Sequence, residues 1–157
     1  MGRVKKVAVI GAGIAGLTCA RKLARSGVEV RVFDKGRRVG GRMATRRQQG
    51  RQLDHGAQFF TARGPHFTQA VRSWVAAGVV AEWTPKAPER FLATTRYVGR
   101  GMNRSLPEYL ARDLDITLET EVAPLPGGGE LLARDGQSLG TYDHIVVTAP
   151  SAQAARL

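Results

Sequence analysis

The sequence predicts an α/β fold with a parallel central sheet, on three observations. A buried apolar strand runs straight into a glycine-rich turn, an amphipathic helix follows, and a second apolar strand closes within roughly thirty residues. The first strand is Lys5 to Ile10, where Val7, Ala8, Val9 and Ile10 form a continuous apolar run. From Ile14 the pattern changes to helical steps, with Leu17, Ala20, Leu23 and Ala24 on one stripe. Gly27 stops that helix in the left-handed conformation that a helix C-terminus favours. Val28 to Phe33 forms the second strand and ends at Asp34. A strand, a helix and a strand this close together make a βαβ unit, whose strands run parallel.

Beyond Asp34 the signals weaken and then return. Residues 36–53 lack periodicity and are rich in Gly, Arg and Gln, so they read as an irregular excursion that returns at Leu53 to Phe60. Phe67, Ala70, Val71, Trp74 and Val75 mark an amphipathic helix ended by Gly78. Val79 to Trp83 is a strand, Pro85 and Pro88 bracket a loop, and Arg96 to Val98 is a short strand. Ser105 with Glu108 three residues later has the form of a helix start, the serine capping. Leu106, Tyr109 and Leu110 supply the buried side of that helix. Ile116, Leu118, Thr120 and Val122 alternate with polar residues as a half-buried strand. Asp135-Gly136 turns the chain between strands at Glu130–Arg134 and Ser138–Tyr142. His144 to Thr148, apolar through Ile145, Val146 and Val147, reads as another buried, parallel-type strand.

Composition narrows the class. The chain has 157 residues with 43% hydrophobic and 24% charged, an ordinary globular balance. Its apolar runs fall short of the roughly 18 residues a membrane helix requires, and glycines at once break the stretch after Lys5 and Lys6 that would imitate a signal peptide. A cytoplasmic location without membrane association is the resulting expectation. The lone Cys19 excludes an internal disulfide framework and reads as a small buried hydrophobe of the first helix. The net charge of +11 concentrates in Arg37, Arg38, Arg42, Arg46, Arg47 and Arg51. Aromatic residues are 6% and do not interleave with those arginines, which argues against nucleic acid as the partner. His66 and His144 stand alone without metal-ligand spacing, and His55 beside Asp54 reads as a structural or solvent-facing residue; no metal is expected.

The chemistry begins with Gly11-Ala12-Gly13-Ile14-Ala15-Gly16, a G-x-G-x-x-G run set between a strand and a helix. The glycines serve distinct physical ends. Gly11 makes the tight turn, Gly13 allows close approach to a pyrophosphate, and Gly16 lets the helix pack near the sheet. The helix N-terminus offers unpaired N–H groups and a partial positive charge to the same anion. Asp34, 23 residues after Gly11, stands where a ribose-hydroxyl acceptor belongs. Lys35, Arg37 and Arg38 would suit a 2′-phosphate, but the Asp34 carboxylate would repel one. The fingerprint alone does not separate NAD from FAD.

The segments that follow bear on that choice. Asp34-Lys35 with Gly40-Gly41-Arg42 resembles the flavin-containing amine oxidase superfamily, and Asp54-His55-Gly56-Ala57-Gln58-Phe59-Phe60-Thr61 resembles a stretch of its renalase-like branch. The similarity runs on through Ala81 to Pro85, Tyr97 to Gly99, Met102 to Leu110, Glu121-Val122 and Asp143 to Pro150. It implies FAD as cofactor, held by the Gly11–Gly16 run, Asp34, Lys35, Gly41, Arg42, Gln58, Phe59 and the backbone of Val122. Phe59 stands where tyrosine is more usual, which removes a hydroxyl but keeps the ring.

The resemblance implies a Rossmann-like FAD- or NAD(P)-binding βαβ with a parallel sheet, plus part of an inserted antiparallel substrate-domain sheet. The expected organisation is a dinucleotide-binding βαβ and following loop at 1–62, part of a substrate or cap domain at 63–112, and a shortened return to the first domain at 113–157. The implied activity is oxidation of a small reduced substrate, a dihydronicotinamide isomer or an amine, with hydride passing to flavin and electrons to oxygen. Family members are considerably longer, so the chain reads either as the N-terminal portion of such an enzyme or as a short form. In the second case it is a dinucleotide-binding module without turnover. The catalytic residues are not assigned. A third class, a basic protein binding nucleic acid through its arginines, is the least supported.

Overall fold

The computed structural model describes residues 3–86, 93–125 and 127–157, and Pro88 of the expected loop lies outside them. The chain divides into two compact units, Met1–Gly41 with Leu110–Leu157, and Arg42–Tyr109. Residues 42–62 thus group with 63–109.

The first unit is an α/β layer structure. Strands β1 (Lys6–Ile10) and β2 (Glu29–Phe33) flank helix α1 (Ile14–Arg25) in sequence and pair in parallel, Val7 opposite Val30 and Ile10 opposite Phe33. β7 (Asp115–Thr117) extends the sheet beyond β2 and β10 (His144–Val147) extends it beyond β1, giving the order β10-β1-β2-β7, all parallel. Alternation along β1 sends Ala8 and Ile10 to one face, where they join Phe33, Val122 and Leu131 in a core covered by Leu139, Tyr142 and Ile145. Leu131 and Leu139 come from the antiparallel hairpin of β8 (Glu130–Leu132) and β9 (Ser138–Thr141), so the hairpin lies on that face. The buried Val7 and Val9 point to the opposite face, where α1 packs with Leu17 and Ala20 fully buried. α1 ends as the sequence predicts: Gly27 has φ +77°, and the N–H groups of Gly27 and Val28 donate to the carbonyls of Ala24 and Leu23.

The second unit contains a 3₁₀ turn over Gly41–Met43, whose first residue lies in the other unit. It also holds the hairpin β3 (Thr45–Gln48) with β4 (Arg51–Asp54), helix α2 (Pro65–Ala76), the pair β5 (Val80–Trp83) with β6 (Arg96–Gly99), and the first residues of α3 (Ser105–Leu110). α2 buries Val71 and Trp74 and ends at Gly78, φ +69°, with Val79 N–H donating to the Trp74 carbonyl.

Four expectations change. Residues 36–53 are not irregular throughout, because Gln49 and Gly50, both at positive φ, close the β3–β4 hairpin. Its strands carry Arg and Gln instead of alternating apolar residues, so periodicity does not reveal them. The strand expected from Ile116 to Val122 stops at Thr117; Glu119 takes φ +53°, and Val122 pairs separately with Ala133. β10 is parallel but lies at the sheet edge and is half-buried. Ser105 does not cap its helix: its hydroxyl donates to the Val79 carbonyl, and Glu108 pairs with Arg104. Among the described residues no helix is long and apolar enough to cross a membrane.

Candidate dinucleotide-binding site

β1 delivers the chain to the turn at Gly11, whose φ of +111° is a conformation that side chains rarely adopt. Gly11 N–H donates to the Phe33 carbonyl at 2.8 Å, tying the turn to β2. α1 then begins after Gly13, and its first intrahelical bond runs from Leu17 N–H to the Gly13 carbonyl at 2.9 Å. The N–H groups of Ile14, Ala15 and Gly16 precede that bond at the positive end of the helix dipole, and the first turn carries no acidic residue.

The three glycines differ in what surrounds them. A Cβ on Gly16 would land on the Gly11 carbonyl oxygen, so the helix approaches the turn too closely for any side chain. A Cβ on Gly13 would meet nothing within 4 Å, and Gly13 has φ −82°, which any residue adopts. Neither the fold nor the backbone therefore demands glycine at position 13. The space over it is open, as a cradle for a closely approaching group requires.

Two further segments gather on this turn. Asp34 Oδ2 accepts from Ala12 N–H at 2.6 Å and Asp34 Oδ1 from Gly36 N–H at 2.7 Å, so the carboxylate clasps the turn after β2 to the glycine loop. An ionised carboxylate has about four acceptor positions, so two remain for a ligand hydroxyl. Gly40 N–H donates to the Ala12 carbonyl at 2.9 Å, and a Cβ on Gly41 would come to 3.4 Å from the Gly13 Cα. The Gly40-Gly41 pair thus runs beside Gly13 with its backbone bare. Residues 119–122 pass along the same edge: Glu119 N–H donates to the Gly36 carbonyl and Thr120 N–H to the Asp34 carbonyl, both at 3.0 Å. Val122 opposes Ala133 through bonds made by its neighbours, Ala123 to Leu132 and Arg134 to Glu121. Its own N–H and carbonyl therefore point away from that partner.

The structure thus brings Gly11, Ala12, Gly13, Ile14, Ala15, Gly16, Asp34 and Gly41 together, with Val122 further along the same edge. Lys35 is exposed beside Asp34. Arg42, Gln58 and Phe59 belong to the second unit. There the Arg42 carbonyl accepts from Ala57 N–H at 2.7 Å, and a Cβ on Gly56 would strike that same oxygen. Phe59 is 39% exposed, lies 5.7 Å from the Trp83 ring, and has the Arg96 guanidinium 5.2 Å from its centroid.

Asn103 is a residue the sequence did not signal. It is 1% exposed; its Nδ2 donates to the carbonyls of Ala57 and Gln58 at 2.7 and 2.9 Å, and its Oδ1 accepts from Gly99 N–H at 2.8 Å. Asp54 accepts from Asn103 N–H and from the Thr45 hydroxyl, so it serves the fold, while neighbouring His55 is exposed. Cys19 is half-buried and free. Among the described residues no three His, Cys, Asp or Glu side chains assemble as a metal site.

Residues 9–74 match the NAD(P)-binding Rossmann-like domain. A segment of 61 residues is 44% identical to Arabidopsis thaliana protoporphyrinogen oxidase 2, covering 39% of this chain and 12% of that protein. A segment of 53 residues is 53% identical to a putative flavin-containing monoamine oxidase of Mycobacterium tuberculosis, covering 34% of this chain and 12% of that one. Among solved structures, a putrescine oxidase variant superposes with a TM-score of 0.76 at 15% identity, over 98% of this chain and 59% of the oxidase. A Pyrococcus furiosus protein superposes with a TM-score of 0.68 at 16% identity, over 97% and 61%. These superpositions establish the Rossmann-like α/β fold. The chain spans about three-fifths of the solved structures, and its similar segments span about an eighth of the curated relatives.

Proposed function

We propose that this chain is the nucleotide-binding part of an FAD-dependent oxidoreductase of the amine oxidase superfamily. The observation that carries the proposal is the open space over Gly13, flanked by the bare backbone of Gly41 and faced by the N-terminus of α1. A pyrophosphate fits such a place, since unpaired N–H groups and the helix dipole meet its charge without a side chain intervening. Asp34 has acceptor capacity for a ribose hydroxyl, and the peptide groups of Val122, which point away from Ala133, suit the edge of an adenine. The dinucleotide is FAD, as similarity to flavin-containing monoamine oxidase supports. When bound, FAD supplies hydride acceptance at its ring system; the residues here bind and orient it.

The finer reading is the renalase-like branch, carried by Asp54 to Thr61. It would take a dihydronicotinamide isomer or an amine as a small reduced substrate, with oxygen as final acceptor. Departure of hydride from a dihydronicotinamide leaves an aromatic cation, so no strong general base is required of the protein. A second reading, on the same glycine turn, is a dinucleotide-binding module without turnover. Visible absorption of the purified chain, before and after FAD addition and desalting, tests the proposal. Retained flavin bands support it, and reduction by amines or dihydronicotinamides then separates enzyme from module. A colourless chain that retains no added FAD sinks the cofactor assignment for this stretch.

A further inference from the structure

We infer that Thr148, at the C-terminal end of β10, is a positioning residue for the phosphate-binding turn, acting through its hydroxyl. The inference rests on the reading of the Gly11–Gly16 turn as a dinucleotide site. Two of the three fingerprint glycines share one neighbour: a Cβ on Gly11 would lie 2.6 Å from Thr148 Oγ1, and a Cβ on Gly16 would lie 2.7 Å from it. The hydroxyl therefore fills the space that the first and third glycines leave, on the side of the turn facing β10. From there it reaches the Ile10 carbonyl at 2.9 Å and the Gly11 carbonyl at 3.2 Å. Thr148 N–H also donates to the Ile10 carbonyl at 2.9 Å, so the residue is fixed by its backbone before its side chain acts.

The direction of those two carbonyls matters for an anion. Peptide planes around a glycine at φ +111° are held by no side chain of their own, and such residues lose the most freedom on ordering. The Gly11 N–H is tied to β2 through Phe33, and the hydroxyl ties the Gly11 carbonyl toward β10. With both ends of that residue held, its carbonyl oxygen stays on the β10 side, and the following N–H groups remain presented at the start of α1. A carbonyl oxygen free to swing outward would put partial negative charge against a pyrophosphate. Thr148 thus preorganises the turn without touching the ligand.

The test uses the full chain, with FAD and NAD as probes, titrated well below the melting temperature. Thr148→Val keeps the branched shape and removes the donor; Thr148→Ser keeps the donor and removes the methyl. The expected result is FAD affinity lower by about tenfold in T148V and changed by no more than about twofold in T148S, the size of one net hydrogen bond. A packing role predicts the reverse order, so T148V binding like wild type, or T148S as weak as T148V, overturns the inference. The T148S result decides by itself should T148V fail to fold. A wild-type chain that binds neither dinucleotide overturns the reading of the turn, and the inference with it. Wild-type binding with an unaffected T148V overturns the inference alone.

Discussion

Gly13 and Gly16 lie three residues apart in one motif, yet the structure needs them for different reasons, and substitution separates the two. Gly13→Val adds a side chain where nothing stands within 4 Å and φ is ordinary, so thermal stability should stay close to wild type while FAD binding is lost. Full flavin occupancy in G13V would refute the site. Gly16→Ala forces a methyl onto the Gly11 carbonyl oxygen and against Thr148, and overpacking of this kind costs about 1–3 kcal/mol. Urea unfolding of G16A should show that loss without any ligand present. Asp34 belongs to the same scale. Its two oxygens each hold a backbone N–H, and Asp34→Asn would turn an amide NH₂ toward one of them. The expected cost is about 1–3 kcal/mol in urea unfolding, since one backbone donor then loses its acceptor. An unchanged midpoint would show that the carboxylate does not hold the turn.

Elements written in local periodicity were legible in the sequence, and those made by distant contacts were not. β1 and α1 announce themselves because burial on both sheet faces and on one helix stripe leaves a continuous or 3.6-residue pattern, and β2 because Val30 and Val32 alternate with the exposed Glu29 and Arg31 before Phe33. The Asp135-Gly136 turn is equally plain, Gly136 having φ +89°. The β3–β4 hairpin was hidden because its strands carry Arg and Gln. The glycines of the candidate site could be read from spacing alone. Thr148 and Asn103 could not, since one reaches the turn from 137 residues away and the other bonds residues 45 and 46 positions back. The Ser105 capping box failed because a tertiary partner, the Val79 carbonyl, took the serine hydroxyl, while a local i,i+4 pair with Arg104 took the glutamate.

The joining of elements at the base of the first unit's sheet has a pH dependence. Asp143 precedes β10 and accepts from Lys6 N–H at the start of β1, with Arg3 paired to its other oxygen. The Lys6 backbone N–H holds its carboxyl below the usual range; burial opposes this, and Arg3 adds to it. The folded chain thus binds this proton more weakly than the unfolded chain. The contribution to stability is complete above the unfolded-state pKa and is lost as pH falls through the folded one. Melting temperature measured against pH should therefore fall less steeply on the acid side in Asp143→Asn than in wild type. Parallel profiles would show that this contact does not couple β1 to β10.

At the scale of the molecule, the division into two units allows the location of the ligand to be read separately from its affinity. Both tryptophans, Trp74 and Trp83, lie in the second unit, so their fluorescence reports on that unit. Amide exchange in β1 and α1 reports on the first. A ligand that binds only the folded form slows exchange from the opened state by the factor 1 + [L]/Kd, about a hundredfold at a hundred times Kd. With FAD at that excess, the slowest amides of β1 and the first core turns of α1 should gain about two orders of magnitude of protection. The Gly11–Gly16 turn joins those two elements, so stabilising it must stabilise them. If β1 exchange stays unchanged while tryptophan emission shifts, FAD is held on the second unit, where Phe59, Trp83 and Arg96 offer an exposed stacking surface, and the assignment of the glycine turn fails.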